Sequence, residues 1–358
     1  MPDFQKSSSL EKKIKYAIFR DMITVKEIAR LAGVSAKTAE RALSGETKDK
    51  RRDARERAER VRKIAAEHGY RPSELALSLR RGSVKTIGFL VDILTDQFLA
   101  AAAETAMDEA GKAGFRIALR IARMDKERTR DALEAFLASG MDGIITSCCP
   151  EQLPPQLVKN LLKQGYPLFT LCGQSGYGFS SASPDYSEAL PQAIDSLIAN
   201  GHKKITLCLF KGKEPDNAET CRIFLEHCRE KGVDADVRIH HDRHQAETLA
   251  DEKIPALILY GKYSMRIYLD RCRKLDFTPD VIGFYNEWTL AAAQPFNLHG
   301  IILERAEEAV RGAVRQVLAQ ISGGGKVRIT PKAGYIPAEQ FHSLNFPNLA
   351  NQMLFEQQ

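Results

Sequence analysis

The sequence has no apolar run near the ~20 residues that would cross a bilayer. Its opening, "MPDFQKSSSLEKKIKYAIFRD", carries two basic patches and lacks the apolar stretch of a secretory signal. No membrane partner is expected, and the chain is read as cytosolic. Cysteine is sparse. The seven thiols are odd in number and form no C-x-x-C pair, which argues against a disulfide framework or a redox dithiol. They are read as reduced, small hydrophobes. Catalytic signatures are missing as well, with no G-x-S-x-G, H-E-x-x-H or G-x-x-x-x-G-K-[ST]. "GQSGYG" at 173–178 does not directly open a helix and reads as a mobile loop. "SGGGK" at 322–326 follows a helix and reads as its cap and turn. "HHDRH" at 240–244 crowds three histidines but has no second ligand cluster. No enzyme, metal or cofactor is therefore expected.

What is present is a chain of 358 residues, suited to two or three compact units. Its charge is uneven. Residues 1–83 hold 21 Lys and Arg against 12 Asp and Glu, a net of +9. The remainder holds 31 against 34, a net of −3. A basic head on a mildly acidic body fits a head that meets a polyanion, and equally a solvated basic surface.

Within the head, "TVKEIARLAGVSAKTAERALSG" at 24–45 reads as two helices meeting at a corner. Thr24 with Glu27 forms a capping box. Ile28, Leu31 and Ala32 give an apolar face at helical spacing, and Gly33 ends the helix. Val34 fills the corner and Ser35 caps the second helix. Ala39, Ala42 and Leu43 form its buried side, and Gly45 closes it. The pattern predicts a helix-turn-helix, whose second helix brings its first turn to base edges in the major groove. A two-helix fragment of some other helical domain would show the same spacing. A third helix follows, with Asp53 as its expected cap and Ala54, Ala58, Val61 and Ala65 along one face. "YRPSELALSLRRGS" at 70–83 is too short to be a stable free helix and reads as a linker that something else must order.

These residues carry a specific resemblance. "T-V-K-E-I-A-x-x-A-G-V-S-x-x-T", then Arg41, then "GY-x-P-S-x-x-A-x-x-L" at 69–79 resemble the LacI/GalR, or lactose-repressor, family of bacterial transcription regulators. The resemblance implies a regulator, a repressor in the first instance. It would bind operator DNA as a homodimer under allosteric control by a small-molecule effector, with carbohydrates among the candidates. Position by position, Ala36 and Lys37 match the residues that select operator bases, and Arg41 a further groove contact. Thr24, Ser35, Thr38 and Tyr70 match phosphate-contacting or positioning sites. Ser73, Ala76 and Leu79 match the hinge helix, with Leu79 as an apolar wedge in the minor groove. The chain departs from the family at Ala39-Glu40-Arg41, where V-S-R is usual. Glu40 either accepts from a cytosine amine, pairs with Lys37 or faces solvent. Residues 1–21 have no counterpart and are expected to be an upstream start or an ordered extra arm.

From residue 84 strand and helix patterns alternate in two series, which predicts parallel sheets covered on both faces. The expected fold is thus an all-α helix-turn-helix head and an α/β body of two lobes resembling periplasmic binding proteins. The expected units are an extension at 1–21, a head at 22–70, a hinge at 71–83, a body at 84–345 and a tail at 346–358. The first lobe is expected at about 84–183 and 300–323, the second at about 184–299 and 326–345. A ligand would sit between the lobes at the carboxyl ends of the strands. The resemblance places Phe98 and Leu99, Cys172, Thr220 with Arg222 nearby, Lys262, and Tyr285 at effector-contacting positions. Gly261 and Lys262 replace the common Asn-Asp pair, and Tyr285 and Asn286 an Asp-Asp pair. Those replacements do not make a standard sugar site. An uncommon effector, a carbohydrate held by another geometry, or no ligand all remain open. The competing assignment for the whole chain is a cytosolic sensor of the periplasmic-binding-protein type without operator function.

Overall fold

The computed structural model describes residues 23–44, 51–70, 78, 81–95, 97–148, 152–171, 178–210, 216–240, 244–293 and 296–343. The expected extension at 1–21, the hinge residues Ser73, Ala76 and Leu79, Gly45, Cys172 and the tail at 346–358 lie outside them. Two units are distinct, a head up to Val84 and a body from Lys85 onward.

The head is three helices, α1 (Val25–Ala32), α2 (Ala36–Leu43) and α3 (Arg52–Glu67). Its core is Ile28, Ala29, Ala32, Ala39, Ala42, Ala58, Val61 and Ala65, all buried. Six of these eight are alanines, which lets the helix backbones approach closely. Gly33 adopts φ 66°, the left-handed conformation in which a side chain would be strained, and so turns the chain at the corner. Arg62 Nε donates to the Ala42 carbonyl at 3.2 Å and ties α3 to the end of α2. Two expectations need correction. Leu31 is 44% exposed, and Ala29 takes its place in the core, because Ile28, Ala29 and Ala32 are the residues of α1 that face the other helices. Asp53 does not cap α3. The cap position is Arg51, two residues earlier, and Asp53 lies in the first turn, where a carboxylate favours the helix dipole.

The body is built on two six-stranded sheets. Its first lobe contains β1 (Thr86–Val91), α4 (Gln97–Lys112), β2 (Arg116–Ile121), α5 (Lys126–Ala138), β3 (Gly143–Thr146), α6 (Pro155–Lys163), β4 (Leu168–Thr170) and β5 (Ser180–Ala182). Its second lobe contains α7 (Ala189–Ala199), β6 (Lys204–Phe210), α8 (Asp216–Glu230), β7 (Asp234–His240), α9 (His244–Asp251), β8 (Ala256–Leu259), α10 (Lys262–Lys274), β9 (Asp280–Asn286) and β10 (Gly300–Glu304). The chain then returns through α11 (Ala306–Ile321) and β11 (Arg328–Ile329) and ends with β12 (Gly334–Pro337) and α12 (Ala338–Ser343). The sheet orders are β11-β5-β4-β3-β1-β2 and β12-β10-β9-β8-β6-β7. All pairs are parallel except β10 with β12. Every residue of β1 is buried, as a central strand covered on both faces requires.

The expected lobe limits shift by one strand at each late crossing. Residues 300–304 pair with β9 in the second sheet, and 328–329 pair with β5 in the first. Strand pairing between distant segments decides this, and no local pattern carries it. The return to the first lobe therefore begins after Glu304, and the final passage runs through 330–333. The crossing segments are tied together. Asp185 bridges to Lys332, Lys332 pairs with Glu188, and the Tyr186 hydroxyl donates to Glu304. At the far side of the second lobe His202 Nε2 lies 2.6 Å from Asp280 Oδ2, which also accepts from Asn200. That contact joins the turn after α7 to the start of β9.

The returning α11 is locked to α4 by a buried carboxylate. Glu109, 6% exposed, receives Lys112 Nζ at 3.0 Å, Arg315 Nε at 2.6 Å and Arg311 Nη1 at 3.1 Å. The Lys112 bond, then those from Arg315 and Arg311, hold its pKa down to about 2 against the opposing effect of burial. Because folding lowers this pKa, the stabilisation is complete above the free carboxylate value of about 4.3 and is lost as pH falls towards 2. Glu109→Gln is expected to lower unfolding free energy by roughly 2 to 3 kcal/mol at neutral pH. Urea titrations should show that deficit shrinking as the pH is lowered from 5 to about 3; an equal deficit at both ends would exclude the carboxylate charge as its source.

Candidate DNA-binding head and ligand cleft

The head presents α2 with its first turn free of packing. Thr24 and Glu27 close the capping box that fixes α1: Glu27 N donates to Thr24 Oγ1 at 3.3 Å, and Thr24 N donates to Glu27 Oε2 at 2.8 Å. Ser35 Oγ accepts from Thr38 N at 3.2 Å and lies 2.8 Å from Thr38 Oγ1. The cap thus holds the helix start in place while Ala39 and Ala42 bury its other side. Ala36, Lys37, Thr38, Glu40 and Arg41 are all exposed. Side chains with two cations and an aliphatic methyl stand on one surface of a rigid helix, a set able to meet base edges and phosphates. Tyr70 packs on the head core, and its N–H donates to the Ala65 carbonyl at 2.8 Å. Burial and then the Glu40 carboxylate push the Tyr70 hydroxyl up from its ordinary pKa. Glu40 therefore lies close enough to act on Tyr70, a neighbour that the sequence reading did not pair with it.

In the body a cleft of about 390 Å³ opens between the lobes. It is made where parallel strands end, the position that open α/β sheets leave free for ligands. Asp92 follows β1, Ser147 follows β3 and Leu171 follows β4. Tyr260 follows β8, Phe284 to Asn286 finish β9, and Glu304 finishes β10. Phe98 and Leu99, on the first turn of α4, line the first wall, and Tyr285 lines the second. Gly283 makes room for Tyr285: a Cβ there would stand 2.6 Å from the tyrosine ring. Asn286 is a turn former. Its Oδ1 accepts from the N–H groups of Trp288 at 3.2 Å and Thr289 at 3.1 Å. The turn sets Trp288 against Phe98, with ring centroids 5.8 Å apart, so the single tryptophan spans from one lobe to the other. Beside it Glu287 Oε2 accepts the Ala306 N–H at 2.9 Å and caps α11; burial pushes this carboxyl up.

Two expected pocket residues stand elsewhere. Thr220 is buried within α8, and Arg222 is exposed on that helix, paired with Glu219 at 3.2 Å and Glu226 at 2.7 Å. Two residues along a helix turn the direction by about 200°. Arg222 thus cannot take the place of an arginine at position 220. The Lys262 side chain and all of Cys172 lie outside the described residues. Sequence reasoning missed Asp92, Tyr260, Tyr263, Glu304 and Trp288. For Asp92, Tyr260 and Glu304 the signal was available, since each closes or follows a strand.

With this geometry in place, the likeness to known proteins can be set beside it. Residues 24–73 match the family model for bacterial regulatory proteins of the lacI family, and residues 84–254 that for periplasmic binding proteins and the sugar binding domain of the LacI family. The chain belongs to the LacI family. It is 27% identical over 187 residues to the HTH-type transcriptional regulator PtxS of Pseudomonas putida, covering 52% of this chain and 53% of that protein. It spans about half the length of that relative. Catabolite control protein A of Priestia megaterium is 25% identical over 280 residues, covering 74% of this chain and 82% of its own. Among solved structures, the lac repressor dimer bound to operator and the anti-inducer ONPF matches with a TM-score of 0.73 at 15% identity, covering 89% of this chain and 99% of that one. The last likeness bears on fold: a helical head and a two-lobed α/β body with parallel sheets.

In the cleft Tyr285 is 2% exposed, and its hydroxyl has no hydrogen-bond partner among the described residues. An orphaned buried hydroxyl costs stability. Tyr285→Phe is expected to leave the unliganded protein as stable as before or more stable by about 1 kcal/mol. Thermal unfolding checks this, and a fall of more than about 1 kcal/mol would mean that the hydroxyl is paired.

Proposed function

We propose that this LacI-family chain is a transcriptional regulator, a repressor in the first instance. It reads duplex DNA through α2 and answers to a small molecule bound in the cleft. The observation that carries the reading is the exposed, capped start of α2, which offers Ala36, Lys37 and Arg41 from a scaffold that buries the opposite side of the same helix. Lys37 and Arg41 are assigned groove contacts, and Ser35, Thr38 and Tyr70 phosphate contacts. Ser73, Ala76 and Leu79 keep the hinge role that the family resemblance gives them. A single head makes few contacts, so two heads on a homodimer reading paired half-sites is the assembly proposed. The protein acts in the cytosol and is not an enzyme. No described helix is long and apolar enough to cross a membrane, and the relatives are regulators, which supports this.

The test is selection of duplexes from a random pool by the full chain, followed by gel shift. A two-fold symmetric site should emerge, and its affinity should fall steeply with salt. Lys37→Ala and Arg41→Ala should each weaken that site by about tenfold or more. Binding with no sequence preference, or variants that bind the selected site like the parent, would overturn the reading.

A further inference from the structure

Most polar groups along the cleft are already engaged. Asn286 Oδ1 is taken by the backbone of Trp288 and Thr289. Glu304 holds the Tyr186 hydroxyl, and Ser183 Oγ accepts from Arg328 at 2.6 Å. Arg305 is exposed and acts on the Glu287 carboxylate. Among the buried cleft atoms without a hydrogen-bond partner in the described residues are Asp92 Oδ1 and the Tyr285 hydroxyl. They belong to different lobes, Asp92 after β1 and Tyr285 at the end of β9. Burial pushes the Asp92 carboxyl up, although Cys148, Gln152 and the Met124 backbone hydrogen-bond to that group. Burial also pushes the Tyr285 hydroxyl up, so it stays protonated and able to donate at neutral pH. Around these atoms stand Phe98, Tyr260 and Phe284.

One orphan is an acceptor and the other a donor. A single hydroxyl satisfies both, giving its hydrogen to Asp92 Oδ1 and accepting from Tyr285. A polyol would bring several further hydroxyls into a wall of rings, each losing its water without gaining a partner. We propose that the cleft takes a compact aromatic alcohol, a substituted phenol, whose ring packs among the aromatic side chains and whose one hydroxyl joins Asp92 of the first lobe to Tyr285 of the second. Aromatic rings pack on such walls edge-to-face or offset, and the O–H···O⁻ bond to a carboxylate is of the stronger, charge-assisted kind. A ligand held this way contacts both lobes at once. Its consequence for DNA rests on the effector reading given above, but the assignment of ligand class does not.

Isothermal titration of the full chain with 4-propylphenol, its methyl ether 4-propylanisole and D-glucose tests the proposal. The phenol should bind, and the ether, equal in shape but without the donor, should bind about tenfold more weakly. This comparison needs no variant. Asp92→Asn should weaken the phenol by about fivefold or more and narrow its advantage over the ether, whereas Tyr285→Phe should weaken phenol and ether alike, since both carry an acceptor oxygen. Absence of phenol binding at about 5 mM, equal affinity for phenol and ether, or tighter binding of D-glucose would overturn the ligand class. Gel shift at saturating phenol separates the two readings. Phenol binding that leaves DNA affinity unmoved upholds the ligand class and removes the cleft as the control site.

Discussion

Three backbone passages join the two lobes of the body, and they are held as a group. The first runs after Ala182, the second through Arg305, the third through 330–333. Asp185 bridges to Lys332, and Tyr186 bonds Glu304, so each passage is fastened to another. Within a lobe, by contrast, every strand is paired and the sheet is covered by helices. Stiffness is therefore concentrated in the lobes and the bending freedom in the passages. The second passage also ends the cleft wall with Glu304 and begins α11, whose first N–H is capped by Glu287. A ligand in the cleft touches the same short stretch of chain through which the lobes are connected.

Local physics was legible in the sequence wherever a feature is decided by neighbours along the chain. The capping box at Thr24, the glycine turn at Gly33 and the cap at Ser35 stand as read. So does the alternation of strand and helix through the body. Features decided at a distance were not legible. Which sheet receives β10 and which receives β11 depends on pairing across the crossings. Leu31 satisfies helical spacing but faces out, because small Ala29 is what the close helix approach admits. Arg222 shows the same limit at the cleft: matching a family position to within two residues is worthless on a helix, where two residues reverse the direction. Asn286 was read as a replaced acid and serves as a turn. Its role follows from the backbone geometry after β9, which no residue pattern displays.

Charge is used differently in the two units. In the body the strongest electrostatic contacts are internal: Glu109 under three cations, and Asp280 joined to His202 and Asn200. They fix helices and turns of the body to one another. In the head the cations of α2 stand exposed, and the carboxylate of Glu40 acts on Tyr70. Lys37 and Arg41 thus lie on the surface of the head, while much of the body's charge is committed to its own architecture.

The division of α2 into two sides has a further meaning. Ala39 and Ala42 are held to small size by the helices they touch, so they have almost no room to vary. Ala36, Lys37, Glu40 and Arg41 are exposed and lie outside the buried core of the head. A mutation among these four alters the surface that the helix offers and leaves that core intact. A lineage built on this head can therefore explore new sequence preferences at little risk to folding, and Glu40 records one such excursion from the family pattern. The small-residue packing that makes the head rigid is what leaves its reading surface free to drift.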